Sequence, residues 1–334
     1  MTFGRAKGLL KMTFPSKNEL TICFAHVAYR MAERFAARNT GIKHYQVNSL
    51  EELTVRIADA DVVSVSMMWR NNLIVRAPKL KFIQSISAGT DQYQREALKA
   101  AGIRLASAQG VNARAVAEHA MSLILAMSRQ LHLARDNQAK HHWRGMISDL
   151  TKREDELGGK TLLVVGLGRI GSHLAGLAKA FGMRVIGTKR DPGSGGANAD
   201  DVFSNGRLGE VLPLADFVAL TCPLTPQTEG LINAQALALM KPSAFLINVA
   251  RGKVVDEPAL IAALNEGRIA GAGLDCTVEE PLPASSPLWD IPGALITPHT
   301  AGETRSYEDN VIDLLLENLD RLWRGESTLK NGVV

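Results

Sequence analysis

Cysteine is scarce in this chain: three in 334 residues, at Cys23, Cys222 and Cys276, with no CxxC spacing. That excludes a disulfide scaffold, and the apolar runs around each one predict buried thiols in a reducing compartment. No apolar stretch approaches the ~20 residues that cross a bilayer, so no membrane partner is expected. The first 17 residues carry Arg5, Lys7 and Lys11 without the long apolar core of a secretory signal, and they read as a loose extension. A cytoplasmic location is the inference. Single-sign charge is also missing. The net charge is +4 and no lysine or arginine run interleaves with aromatics, so nucleic acid is not expected. His132, His141 and His142 lack the HExxH pattern, and no metal site is expected. What remains is an ordinary globular composition, 46% hydrophobic and 22% charged, long enough for two domains.

The richest stretch runs from Lys160 to Gly171. Leu162–Val165 is a continuous apolar run, as suits a strand buried on both faces of a parallel sheet. Gly166, Gly168 and Gly171 follow as G-x-G-x-x-G, and Ile170, Leu174, Leu177 and Ala178 then recur at helical spacing. The first glycine permits a tight turn, the second lets backbone approach a pyrophosphate, and the third lets helix pack on strand. With Arg169 and Ile170 between them, these residues predict a dinucleotide site at a helix N-terminus. The next strand, expected over 183–187, ends in Thr188-Lys189-Arg190-Asp191-Pro192. NAD sites favour a carboxylate at such a strand end, whereas Lys189 and Arg190 suit a 2′-phosphate. NADP is therefore the expected cofactor, with NAD as the alternative.

Along the rest of the chain, strands are expected over 19–24, 62–66, 82–86 and 103–106, with helices at 29–38 and 91–100. Alternation of this kind predicts a parallel α/β layer up to about residue 110. Residues 112–128 form the most regular helix, with Val116, Ala120, Leu123, Ile124 and Met127 on one stripe. Polar residues 130–156, anchored by Trp143, suggest a surface loop or subunit contact. The α/β pattern resumes after the glycines with strands at 217–220, 244–249 and 271–274, a loop over 192–200, and a terminal helix over 303–324. Between the last two strands, Asp256, Pro258 and Gly267 mark the cap, first turn and end of a helix.

Three residues stand just past such strands: Arg251 after Asn248-Val249-Ala250, Glu280 after Leu274-Asp275, and His299 after Thr297-Pro298. In an open α/β sheet ligands bind outside the carboxyl ends of strands. Arginine grips a carboxylate, histidine is an acid and base, and a glutamate beside it stabilises the protonated ring.

These pieces together resemble the D-isomer-specific 2-hydroxyacid dehydrogenases, the family of phosphoglycerate dehydrogenase, D-lactate dehydrogenase and glyoxylate/hydroxypyruvate reductase. The resemblance runs from about Ile83 to Gly302. It includes Ser87-Ala88-Gly89-Thr90-Asp91, Val116-Ala117-Glu118-His119, the glycine loop, Pro223-Leu224-Thr225 with Thr228, Asn248 to Gly252, Asp275 with Glu280-Pro281, and Pro298-His299. It implies a Rossmann nucleotide-binding domain (111–299) inserted into a flavodoxin-like substrate domain (1–110 with 300–334), two doubly wound parallel sheets in all. Arg251, Glu280 and His299 become the catalytic set. Asp275 lies beside the nicotinamide, with Pro223, Thr228 and Val249 also on the cofactor. Ala88 and Gly89 bind the substrate carboxylate by backbone N–H, and Met67 and Met68 are candidates for its apolar wall. A small 2-oxo acid is the implied substrate, and the implied partner is a second copy, docked largely through helix 112–128. Thr221 stands where many members have histidine. The alternative to an enzyme is a nucleotide-sensing, corepressor-like protein on the same fold.

Overall fold

Short runs such as Val62–Val65, with no polar alternation, belong in sheets covered on both faces, and two such sheets form. The computed structural model describes residues 14–194, 196 and 198–334. Most of the extension expected over 1–17, and part of the loop at 192–200, lie outside the described residues. The chain divides into two compact units, one running to Val111 and resuming over Arg305–Val334, the other Asn112–Thr304.

The first unit holds five parallel strands, β1 (Thr21–Ala25), β2 (Lys43–Val47), β3 (Val62–Val65), β4 (Phe82–Ser85) and β5 (Arg104–Ala106). Their order is β2-β1-β3-β4-β5, the flavodoxin-like arrangement. The terminal helix Tyr307–Trp323 belongs to this unit. Its Val311, Ile312, Leu315 and Leu319 pack with Ile22, Phe24 and Phe82. Asn318 Nδ2, fully buried, donates to Gln84 Oε1 at 2.9 Å.

The second unit holds seven parallel strands, β6 (Thr161–Val165), β7 (Arg184–Lys189), β8 (Asp201–Ser204), β9 (Phe217–Leu220), β10 (Phe245–Asn248), β11 (Gly271–Leu274) and β12 (Ala294–Ile296). The order β12-β11-β10-β9-β6-β7-β8 reverses direction beside β6, which makes the β6–β9 boundary the switch point where such sheets hold ligands. Alternate residues feed two cores. Leu163, Val165, Val218, Leu220 and Leu246 face one, while Leu162, Val164, Ala219 and Ile247 face the other. Helix Ala113–Ser128 lies over the second core, beside helix Arg169–Ala180, with its apolar stripe buried.

Three strands depart from the sequence reading. β2, β8 and β12 are all sheet edges, and an edge strand with one neighbour tolerates polar residues such as those of Lys43–Val47. β7 also runs two residues further than expected, because Lys189 pairs with Ser204 of β8. Residues 131–139, expected as polar loop, form a helix with no buried residue.

Candidate active site

Strand register sets the site. Val165, Leu220, Asn248, Leu274 and Ile296 are successive cross-sheet partners. The row continues one residue further through Thr221 N–H to Val165 O (2.9 Å), Asp275 N–H to Asn248 O (2.9 Å) and Thr297 N–H to Leu274 O (2.9 Å). The loops carrying the glycines, Arg251, Glu280 and His299 therefore all leave the carboxyl edge of one sheet.

The three glycines are distinguished by what surrounds them. Gly166 has φ +97°, and a Cβ there would lie 2.7 Å from the Cys222 backbone. A Cβ on Gly171 would lie 2.6 Å from Gly166 O and 2.8 Å from Val164. Gly168 is exposed, and the nearest atom to a Cβ there is 4.0 Å away. Turn and packing demand the first and third glycines, while the second faces open space at the helix N-terminus. This is the cradle that a dinucleotide pyrophosphate fits. Thr221 Oγ1 donates to Gly166 O at 2.8 Å and braces the turn, a role the sequence reading did not find.

Beyond β10, buried Asn248 shapes the loop. Its Oδ1 accepts from Ala250 N–H at 3.0 Å and its Nδ2 donates to Arg251 O at 3.0 Å. The half-buried Arg251 donates from Nη1 to Ala250 O at 2.7 Å. A Cβ on Gly252 would fall 2.0 Å from the Thr277 carbonyl, so only glycine allows the Arg251 and Glu280 loops to meet. Thr277 N–H donates to Glu280 Oε1 at 3.1 Å. Glu280 Oε2 in turn lies 2.8 Å from His299 Nδ1. The structure thus brings Glu280 and His299 together in one hydrogen-bonded couple through Nδ1. The buried Cys276 thiol is pushed well above its ordinary value by burial, reinforced by Glu280 and Asp275, which favours its neutral form.

His299 sits at φ +54°, in the left-handed region. Asp275, 2% exposed, holds that turn. Its Oδ1 accepts from Thr297 Oγ1 at 2.6 Å and Thr300 N–H at 3.0 Å, and its Oδ2 from Ala301 N–H at 3.1 Å. Burial raises the Asp275 pKa, but the hydrogen bonds from His119, Thr297 and Ala301 outweigh it and hold the carboxyl below its ordinary 3.8. A depressed carboxylate stabilises the fold above the ordinary value and loses that contribution as pH falls through the folded one. Asp275→Asn is accordingly expected to cost about 1–3 kcal/mol at neutral pH. The deficit narrows only in acid below the ordinary carboxylate range. Urea unfolding of both proteins at neutral and acid pH checks this, and equal stability at neutral pH refutes it.

Other expected site residues fall as follows. Lys189 closes β7 half-buried, and Arg190 is exposed beside it. Arg169 is exposed at the helix start, with Ile170 half-buried next to it, while Val249 is buried. Thr228, expected on the cofactor, has its hydroxyl engaged within its own loop, donating to Pro223 O at 2.7 Å and accepting from Thr225 N–H at 2.8 Å. Pro223 is exposed. In the other unit, Ala88 is exposed and Gly89 half-buried after β4, and Met67 is exposed after β3. Met68, paired with Met67 in the sequence reading, is instead buried in that unit's apolar core with Trp69.

Comparison with known proteins identifies the family. The family model for the D-isomer specific 2-hydroxyacid dehydrogenase NAD binding domain matches residues 121–301. A D-3-phosphoglycerate dehydrogenase of Methanocaldococcus jannaschii is 37% identical over 83% of this chain and 52% of its own length. A glyoxylate reductase of Pyrococcus furiosus is 35% identical over 83% of each. The chain spans about half the length of the phosphoglycerate dehydrogenases it matches. Among solved structures, an acyclic imino acid reductase (Bsp5) in complex with NADPH and D-Arg shares the fold with a TM-score of 0.81 at 25% identity, over 94% of this chain and 100% of that one. With the glycine cradle, the Glu280–His299 couple and a matching family model on one seven-stranded sheet, this chain belongs to the D-isomer specific 2-hydroxyacid dehydrogenase family.

Proposed function

We propose that the chain is a reductase converting a small 2-oxo acid to its D-2-hydroxy acid with NADP(H). The observation that carries this is the 2.8 Å contact of His299 Nδ1 with Glu280 Oε2, on a loop leaving the same sheet edge as Arg251. A nicotinamide held at the glycine cradle would supply the hydride that C2 of the oxo acid takes up. As negative charge develops on the carbonyl oxygen, His299 donates a proton from Nε2. Glu280 balances the imidazolium through Nδ1, and Arg251 fixes the substrate carboxylate so that C2 is presented in one orientation. The backbone N–H groups of Ala88 and Gly89 assist with the carboxylate, and Met67 contributes to side-chain selection.

The residue-1 to -111 unit with the terminal helix is assigned to substrate, and the Asn112–Thr304 unit to the dinucleotide. NADP preference rests on Lys189 and Arg190, with Lys189 rather than a carboxylate at the position where NAD-preferring members carry aspartate. Glyoxylate or hydroxypyruvate is the expected substrate type, as for the glyoxylate reductase relative. A homodimer is the expected assembly. Its docking surface is assigned largely to helix Ala113–Ser128, with the neighbouring segment that carries exposed Leu131, Trp143, Met146 and Leu150 as a further contact.

The test is a panel of glyoxylate, hydroxypyruvate, 3-phosphohydroxypyruvate, pyruvate and longer 2-oxo acids, followed by loss of NADPH or NADH absorbance. Turnover of a small unphosphorylated acid supports the reading. Turnover of the phosphorylated acid alone redirects it, and no turnover with either cofactor rejects it in favour of a binding protein.

A further inference from the structure

His119 is a half-buried polar residue on the otherwise apolar inner part of helix Ala113–Ser128, and the proposed reaction leaves it unused. Its Nε2 lies 2.9 Å from Thr297 Oγ1 and 3.3 Å from Asp275 Oδ1. The direction of these bonds follows from counting hydrogens. An ionised carboxylate only accepts, so the single hydrogen of the Thr297 hydroxyl goes to Asp275. That hydroxyl then accepts from His119, whose Nε2 must carry a hydrogen.

We propose that His119 is a positioning residue for His299. It locks Thr297 and Asp275, and these two fix the turn that presents His299 to Glu280. Left-handed backbone at a non-glycine residue persists only where the surroundings over-determine it. Here Asp275 supplies the constraint by accepting from Thr300 and Ala301 N–H, on one side of His299, and from Thr297 on the other. Without the His119 donor, the Thr297 hydroxyl has a second direction to turn, and the carboxylate loses one of its few partners. A misplacement of about 1 Å at a reacting group costs on the order of 10²-fold in rate.

The kinetic half of the test rests on the proposed reductase activity; the exchange half does not. His119→Phe removes the donor, and His119→Gln keeps an N–H at nearly the same reach. Thr297→Val breaks the relay with His119 in place and carries the test should the Phe variant not fold. Expected for H119F and T297V are a kcat lower by about tenfold to hundredfold and an unchanged NADPH Kd. H119Q is expected to recover most of the loss. In the cofactor-free protein, amide exchange at Thr300 and Ala301 is expected to quicken by about tenfold in H119F and T297V. The amides of β6 should not change. Unaltered exchange at both amides overturns the proposal whatever the kinetics. So does an H119Q variant as impaired as H119F, which would make the side chain a matter of packing. A wild-type protein that turns over no oxo acid, with the exchange pattern intact, overturns the reductase reading and leaves the clamp standing.

Discussion

His299→Gln is expected to lower kcat for reduction by about 10²–10⁴-fold, the range removed with a general acid, and to leave NADPH binding unchanged. Glutamine keeps a hydrogen-bonding group at similar reach but cannot become a cation. Charge building on the carbonyl oxygen would then meet no proton. Glu280, already 2.8 Å from the ring nitrogen, would be left beside a neutral amide, adding an unbalanced negative charge near the developing oxyanion. The proposed function assigns the substrate carboxylate to Arg251, so KM is expected to move far less than kcat. Glutamine in left-handed backbone costs about 1–2 kcal/mol, well short of the larger end of the rate loss at 1.36 kcal/mol per decade. Steady-state kinetics with both substrates varied decides it. A variant with near-normal kcat removes His299 as the proton donor.

The second large effect concerns the cofactor. Replacing Lys189 with Asp and Arg190 with Ser together is expected to turn a preference for NADPH into one for NADH. A 2′-phosphate carries close to two negative charges, and a charge-assisted hydrogen bond from each cation is worth roughly 1.5–3 kcal/mol. Each therefore contributes about tenfold to hundredfold in affinity. Asp191 is the group that would oppose them, and its Oδ1 accepts from Gly193 N–H at 3.1 Å, within its own turn. Wild-type kcat/KM is expected to favour NADPH by at least about tenfold, with the order inverted in the double variant. A wild-type preference for NADH would mean that neither basic side chain reads a 2′-phosphate.

The sequence disclosed the parts of this site that are local. Strand, three glycines and helix lie within twenty consecutive residues, 161–180, so their chemistry is legible as a spacing. Arg251 and Glu280 stand out because each follows an apolar strand run closely, and His299 because Pro298-His299 matches the family pattern. The clamp was not legible. His119 and Thr297 are 178 residues apart, and no local pattern joins them; the one available signal was a histidine interrupting an apolar helix. Met67 and Met68 look alike on paper as two methionines in succession, but the structure sets them apart, Met67 exposed and Met68 buried with Trp69. The edge strands β2, β8 and β12 escaped notice because hydrophobic runs announce the centre of a sheet, not its margins.

The left-handed backbone at His299 restricts which residues the position can accept across a lineage. Asparagine, aspartate, histidine and glycine adopt such a conformation readily, whereas β-branched and bulky side chains do not. Within that short set, histidine is the member whose ordinary chemistry includes a proton to give near neutral pH. Two unrelated filters, one on shape and one on acidity, thus converge on the same amino acid. A library randomised at 299 and selected only for soluble expression is expected to retain asparagine, aspartate and glycine at the expense of valine and isoleucine. Selection for turnover would narrow the survivors to the parent.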